Sequence, residues 1–266
     1  MARSFSRYFE PKKEIPRRVY LTISASVGIL VLIFWSFLSY GGFVEGDFLP
    51  TPSAVLSALF TLLADGSLAR NAWASFVEIM TGFILSSLIA VPLGVLVGSF
   101  RVVQAALEPI VNFFRYLPIS ALIPLLILWV GIGLEEKIAI IFLGTFFNQL
   151  IMVADASAAV PSDLLDVAYT LGANRRMVVS RVLVPATMPG IMDALRVSMG
   201  VAWTYVVIAE LVASREGLGY LVLNASRGLY TDQIFVGILV LGTLGLIFDR
   251  LLRLAKERLL PWSSDV

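Results

Sequence analysis

Residues able to do covalent chemistry are nearly absent from this sequence. It has no cysteine and no histidine, which excludes disulfides, thiol catalysis, Ser–His or Cys–His nucleophile pairs and the usual zinc sites. No G-x-x-x-x-G-K-[ST] run occurs, so the chain carries no P-loop for ATP. What remains is a sparse set of polar side chains set in apolar runs. Asn148 and Gln149 lie near Thr145, Ser198 lies near Trp203 and Thr204, and two charges, Arg196 and Glu210, stand among hydrophobic neighbours. Such groups hydrogen-bond and attract charge. They suit holding or passing a solute rather than transforming one.

The elements that carry them are long apolar helices. Of 266 residues, 58% are hydrophobic and 15% charged, and mean hydropathy is +0.88. Soluble domains run near half apolar and a quarter charged, so this chain has too few polar residues to cover a water-facing globule. Its apolar blocks approach the roughly 20 residues that a helix needs to cross a bilayer. The expected fold is all-α and membrane-integral, with about six spans: Tyr20–Ser39, Ser75–Ser99, Pro118–Gly131, Lys137–Val153, Ile191–Ala213 and Ile234–Phe248. Pro118 and Pro124 break the third span. Pro52 opens a short amphipathic helix through Leu63 for which Ser53 is the expected cap, and Val102–Tyr116 reads as another helical stretch.

Three regions follow: a basic N-terminal segment at 1–19, a transmembrane domain at 20–248 with a long polar loop at 156–190, and an amphipathic tail at 249–266. The first segment lacks the short apolar core and small-residue exit of a cleaved signal peptide. A net charge of +1 without a basic domain argues against nucleic acid as a partner. With the N-terminus inside, fifteen basic residues fall on inner segments: Arg3, Arg7, Lys12, Lys13, Arg17, Arg18, Arg101, Arg115, Arg175, Arg176, Arg181, Arg250, Arg253, Lys256 and Arg258. Only Arg70, Lys137, Arg215 and Arg227 fall outside. The positive-inside rule therefore places both termini in the cytoplasm.

Within the spans, a carboxylate at mid-bilayer costs about 2.5–3.5 kcal/mol. Glu210 is expected either to serve passage or, nearer the interface, to pair with Lys137 or Arg215. Arg196 has the sign to suit an anion and the reach to snorkel to the interface. Asn148, Gln149, Ser198, Trp203, Thr204 and Glu210 are the candidate pathway-lining residues, although small and polar side chains also serve as packing between helices. Phe142, Phe146 and Phe147 read as packing.

The most informative segment is the loop. It reads Asp166-Val167-Ala168-Tyr169-Thr170-Leu171-Gly172, then nine residues, then Val182-Leu183-Val184-Pro185. The pattern predicts two short helices joined at a glycine. Ser162 would cap the first, Gly172 would make a left-handed turn, and Pro185 would end the second.

This spacing resembles the E-A-A-x3-G-x9-I-x-L-P signature of permeases of ATP-binding-cassette (ABC) importers. Asp166 stands for the acid, Ala168 for the second alanine, Gly172 for the glycine, Val182 for the aliphatic residue and Pro185 for the proline. Phe48–Ser53, Val130-Gly131-Ile132-Gly133, Ala209-Glu210-Leu211, Gly217-Leu218-Gly219-Tyr220 and Pro261-Trp262 look like the branch importing nitrate, taurine, alkanesulfonates or bicarbonate. Where that branch tends to have a Pro-Pro pair and an aromatic before a further Pro, this chain has Pro118-Ile119 and Leu122 before Pro124.

The resemblance implies a multi-pass inner-membrane permease for a small anion. Two copies, as a homodimer, would pair around a path, with the helix pair around Gly172 as the ATPase-coupling contact. ATP would be bound and hydrolysed on separate ATPase subunits, so the chain itself is not an enzyme and needs no cofactor. A periplasmic or lipid-anchored solute-binding protein would deliver the substrate. A secondary transporter or channel is the alternative, but it would call for an intramembrane proton relay or inverted repeats, and neither is visible.

Overall fold

The computed structural model of the chain describes residues 15–263, so Arg3, Arg7, Lys12 and Lys13 lie outside the described residues. Every regular element among those described is helical. In chain order they are α1 (Arg17–Tyr40), α2 (Pro52–Ala64), α3 (Ser67–Ser99), α4 (Arg101–Arg115), α5 (Ile119–Val130), α6 (Leu134–Ala158), α7 (Ser162–Thr170), α8 (Arg175–Val178), α9 (Val184–Ala213), α10 (Leu218–Arg227) and α11 (Thr231–Leu259). A π turn, Val179–Leu183, joins α8 to α9, and one 3-10 turn, Pro261–Ser263, follows α11.

Among the described residues, five helices are long and apolar enough to cross a membrane: α1, α3, α6, α8 continued through α9, and α11. The pair α4 and α5 makes a sixth span only if counted together across a 96° bend. That bend falls at Tyr116–Pro118, where Pro118 is extended and disfavours helix in the residue before it.

The centre is built by α3, α6 and α9. Small residues recur every fourth position along α3, at Gly82, Ser86, Ala90, Gly94 and Gly98, which puts them on one face. Each of the three glycines admits a neighbour where a side chain would stand. A Cβ would meet Ile141 at 2.8 Å from Gly82 and Val153 at 2.7 Å from Gly94, and from Gly98 it would overlap the Ala154 carbonyl. The backbones of α3 and α6 thus approach closely, which is how helices bind in a solvent as apolar as their own side chains. Ile79, Ile141, Ala202 and Val206 fill the layer between α3, α6 and α9.

Several boundaries differ from the sequence-based expectations, each for a local reason. Thr51, not Ser53, caps α2, accepting from Ala54 N, while the Ser53 hydroxyl accepts from Tyr40 at 2.7 Å. Ser162 makes no capping bond, because Pro161 occupies the cap position of α7. The second loop helix does not end at Pro185. Its helix continues for 38 residues, Arg175–Val212, since Val184 N bonds Val179 O across the wide π turn. That turn takes up the clash a proline ring makes with the carbonyl four residues before it. The tail likewise does not begin a new helix at Asp249, because α11 runs unbroken to Leu259.

Candidate functional site

The loop between α6 and α9 folds into two short helices with both facing ends capped. At the end of α7, Gly172 has φ +86. Gly172 N bonds Tyr169 O at 2.9 Å, and Ala173 N bonds Ala168 O at 3.0 Å. This is the paired bonding of a Schellman stop, which needs a left-handed residue at its centre. Four residues after α7 the next helix begins, with the Asn174 side chain accepting from Met177 N at 3.0 Å. A turn bonded at both ends is stiff, and it leaves α7 standing proud. Asp166 and Gly172 are exposed, and Ala168, Val182 and Pro185 are half-buried.

Around them α7 presents apolar groups to the outside: Leu164, Val167, Tyr169 and, at 82% exposure, Leu171. A solvated loop would not hold this cluster in the open without a partner to cover it. Behind it the Arg175 guanidinium lies over the Phe100 ring, 4.8 Å from its centre, tying α8 to the junction of α3 and α4. Through the π turn the same helix becomes α9, so the loop and one of the three central helices of the bundle are one rod.

The polar residues inside the spans divide into two groups. Asn148 on α6 and Thr204 on α9 are exposed, with only their own helix carbonyls as partners at 3.4 Å. Gln149, Ser198, Trp203 and Glu210 are buried within the subunit. Gln149 Oε1 accepts from Ser86 at 3.0 Å, joining α6 to α3 at a fully buried point.

Glu210 anchors a knot at the end of α9 away from the loop. Its Oε1 accepts from Ser75 Oγ and its Oε2 from Gly219 N, each at 2.5 Å. Ser75 Oγ in turn accepts from Leu218 N at 2.8 Å, and Asn71 Oδ1 accepts from Gly217 N at 2.9 Å. Three successive N–H groups at the start of α10 are therefore capped by side chains from α3 and α9, which satisfies donors that a buried helix start would otherwise leave orphaned. Neither expected ion pair of Glu210 forms. Lys137 Nζ bonds Glu78 Oε1 at 2.6 Å instead, because both are buried beside each other and Arg215 is exposed.

Sequence reasoning passed over Asn71, Ser75 and Glu78. Their spacing of four and three puts them on one face of α3, and Glu78 is the one acid in that helix. Arg196 neither faces a solute cavity alone nor snorkels freely. It forms a two-point fork with Asp249 of α11, Nε to Oδ1 at 2.5 Å and Nη2 to Oδ2 at 3.1 Å.

A multi-span helical bundle bearing a capped, exposed helix pair at one end has the build of a transporter's membrane subunit. The chain belongs to the family of binding-protein-dependent transport system inner membrane components, whose description fits residues 90–260. It is a multi-pass inner-membrane permease component of an ABC importer. It is 40% identical to a probable ABC transporter permease protein of Brucella abortus (strain 2308) over 230 residues, 86% of this chain and 91% of that one. It is 31% identical to the taurine transport system permease protein TauC of Escherichia coli (strain K12) over 266 residues, 98% and 96% of the two chains. Among solved structures it shares the fold of an inward-facing MetNI methionine ABC transporter chain, with TM-score 0.62 and 23% identity. The match covers 74% of this chain and 96% of that one.

Proposed function

We propose that this permease imports a small organic anion of the sulfonate class, with nitrate and bicarbonate as the nearest alternatives in the same branch. Two copies pair around the path, each gripping one ATPase subunit, and a periplasmic or lipid-anchored solute-binding protein delivers the substrate. ATP belongs to the partner subunit. Both termini of the permease face the cytoplasm, as its basic residues require.

The observation that carries this reading is the capped, exposed helix pair around Gly172, with uncovered apolar side chains on and just after α7 and a continuous path into α9. Asp166, Ala168 and Gly172 form the contact, and Val182 and Pro185 set the wide turn through which its displacement enters the bundle. An element that must pass on a push has to be stiff, and a rigid-body transition needs such a lever. Along the path, exposed Asn148 and Thr204 offer hydrogen bonds to a passing solute, while Gln149, Ser198, Trp203 and Glu210 hold the wall from behind. The similarity to TauC over nearly the whole chain supports the substrate class.

The test is uptake into proteoliposomes holding the permease and its ATPase subunit, with ATP inside and the binding protein outside. Taurine or an alkanesulfonate should stimulate hydrolysis and accumulate. Uptake that proceeds without ATP and follows a proton gradient would make this a secondary transporter. Uptake of nitrate or bicarbonate alone would move the substrate within the branch.

A further inference from the structure

Toward the end of the bundle nearest the loop, α9 and α11 are joined by charge as well as by packing. Higher up they touch through Trp203 and Phe248, whose rings lie 5.8 Å apart. Between those helices runs a groove of about 540 Å³, bordered by Gly200, Thr204, Gly242 and Gly245. A Cβ added at Gly200 or Gly242 would meet nothing within 4 Å, so this groove is not filled by neighbouring side chains. On the cytoplasmic side a second cavity of about 380 Å³ lies between Met192, Leu252, Leu260 and Pro261.

Arg196 and Asp249 border the groove, Asp193 and Lys256 border the lower cavity, and Arg196 borders both. The four side chains make two ion pairs: the Arg196–Asp249 fork, and Lys256 Nζ bonded to both Asp193 oxygens at 2.9 Å. The helices run in opposite directions, so a base and an acid on each helix find their complements only in one register. Sliding α11 by one turn would bring Arg253 toward Arg196. At about 1.5 Å per residue α11 is about 43 Å long, well beyond a hydrocarbon core of about 30 Å. Its last third is held beside the bundle by packing of Leu252 and the buried Leu260 together with the two ion pairs.

We propose that these two ion pairs form a permanent clasp that makes α9 and the last third of α11 one moving body. A displacement entering through α7 and α8 then carries α11 along with α9. Asp193, Arg196, Asp249 and Lys256 are positioning residues for transport. Partly exposed ion pairs of this kind contribute modest stability, commonly about 1 kcal/mol or less, so the clasp acts on how motion is shared more than on whether the bundle folds. The inference rests on the reading that the Gly172 helix pair takes the push of an ATPase subunit.

The experiment uses the full permease with its ATPase and binding protein in proteoliposomes, and it reads substrate moved per ATP hydrolysed. Asp249→Arg should lower that ratio at least fivefold while hydrolysis and melting temperature stay near wild type. The swap Arg196→Asp with Asp249→Arg should restore it, and Arg196→Lys, which keeps the charge without the fork, should fall between. In this cysteine-free chain, Asp193→Cys with Lys256→Cys joined by a short bifunctional thiol reagent should retain uptake. A wild-type ratio in Asp249→Arg, or uptake lost on cross-linking and regained when a cleavable linker is cut, would overturn the clasp. Should Asp249→Arg fail to assemble, Asp249→Asn is read in the same way. A wild-type protein with no ATP-driven uptake would instead overturn the docking reading beneath it.

Discussion

The buried charges near the Glu210 knot show how one residue's role depends on partners far away in sequence. Lys137 and Glu78 are 59 positions apart and bonded at 2.6 Å, with side chains 9% and 4% exposed. Removing one member of such a pair leaves an uncompensated charge and costs about 3–5 kcal/mol, whereas replacing both with apolar groups of like size is often neutral or better. Lys137→Met should therefore sharply lower the melting temperature and yield of the purified permease, and Glu78→Leu with Lys137→Met should recover most of both. A double variant as unstable as the single would mean that Lys137 has another essential partner. Glu210→Gln tests the neighbouring knot. The amide can satisfy either Gly219 N or the Ser75 hydroxyl with its one oxygen, so a loss of about 1–3 kcal/mol is expected, with transport per ATP unchanged. A stable Glu210→Gln permease that no longer moves substrate would place this residue in the path. That Glu210 matters was legible from an acid in an apolar run. Its partners were not, because Ser75 and Gly219 come from helices whose contact no spacing rule specifies.

At the scale of elements, the sequence showed where helices lie better than where they stop. The spans were visible as apolar blocks, and the joint at Gly172 was visible because a glycine followed an amphipathic turn at motif spacing. Pro185 misled, since a proline ordinarily ends a helix, and here a π turn absorbs it so that α8 and α9 stay one rod. The stripe of small residues at every fourth position from Gly82 to Gly98 was also present in the sequence, but its purpose was not legible until α6 was seen packed against it. Gly172 carries the element's functional test. Nothing lies within 4 Å of a Cβ placed there, so a substitution meets strain and no clash. Its φ of +86 costs an ordinary residue about 1–2 kcal/mol and a β-branched one most. Gly172→Val should leave the spans inserted and the permease soluble in detergent. It should weaken pull-down of the ATPase subunit, or keep binding while hydrolysis runs without uptake. Wild-type binding and uptake in Gly172→Val and in Ala168→Trp alike would remove this loop from the coupling role.

For the whole molecule, orientation decides what every site means, because the helix pair can meet an ATPase only if it faces the cytoplasm. The basic residues argue for that side fifteen to four, and they do so through physics independent of the motif. The geometry adds a consistency. α3, α6, α9 and α11 each traverse the bundle, and the loop at Ser162–Leu183 and the α11 end near Leu259 fall on one side, opposite the Glu210 knot and the start of α10. The absence of native cysteine makes this directly measurable. Single cysteines at Ser180 in the loop and at Ser226 on α10, both exposed positions, should behave oppositely toward an impermeant thiol reagent in intact cells. Ser226→Cys should react at once, and Ser180→Cys only after the membrane is permeabilised. Labelling of Ser180→Cys from outside would reverse the orientation. The apolar face of α7 would then meet the compartment without ATP, the clasp would sit at the wrong end of α9, and the charge count would stand as an exception to the rule that sets most membrane topologies.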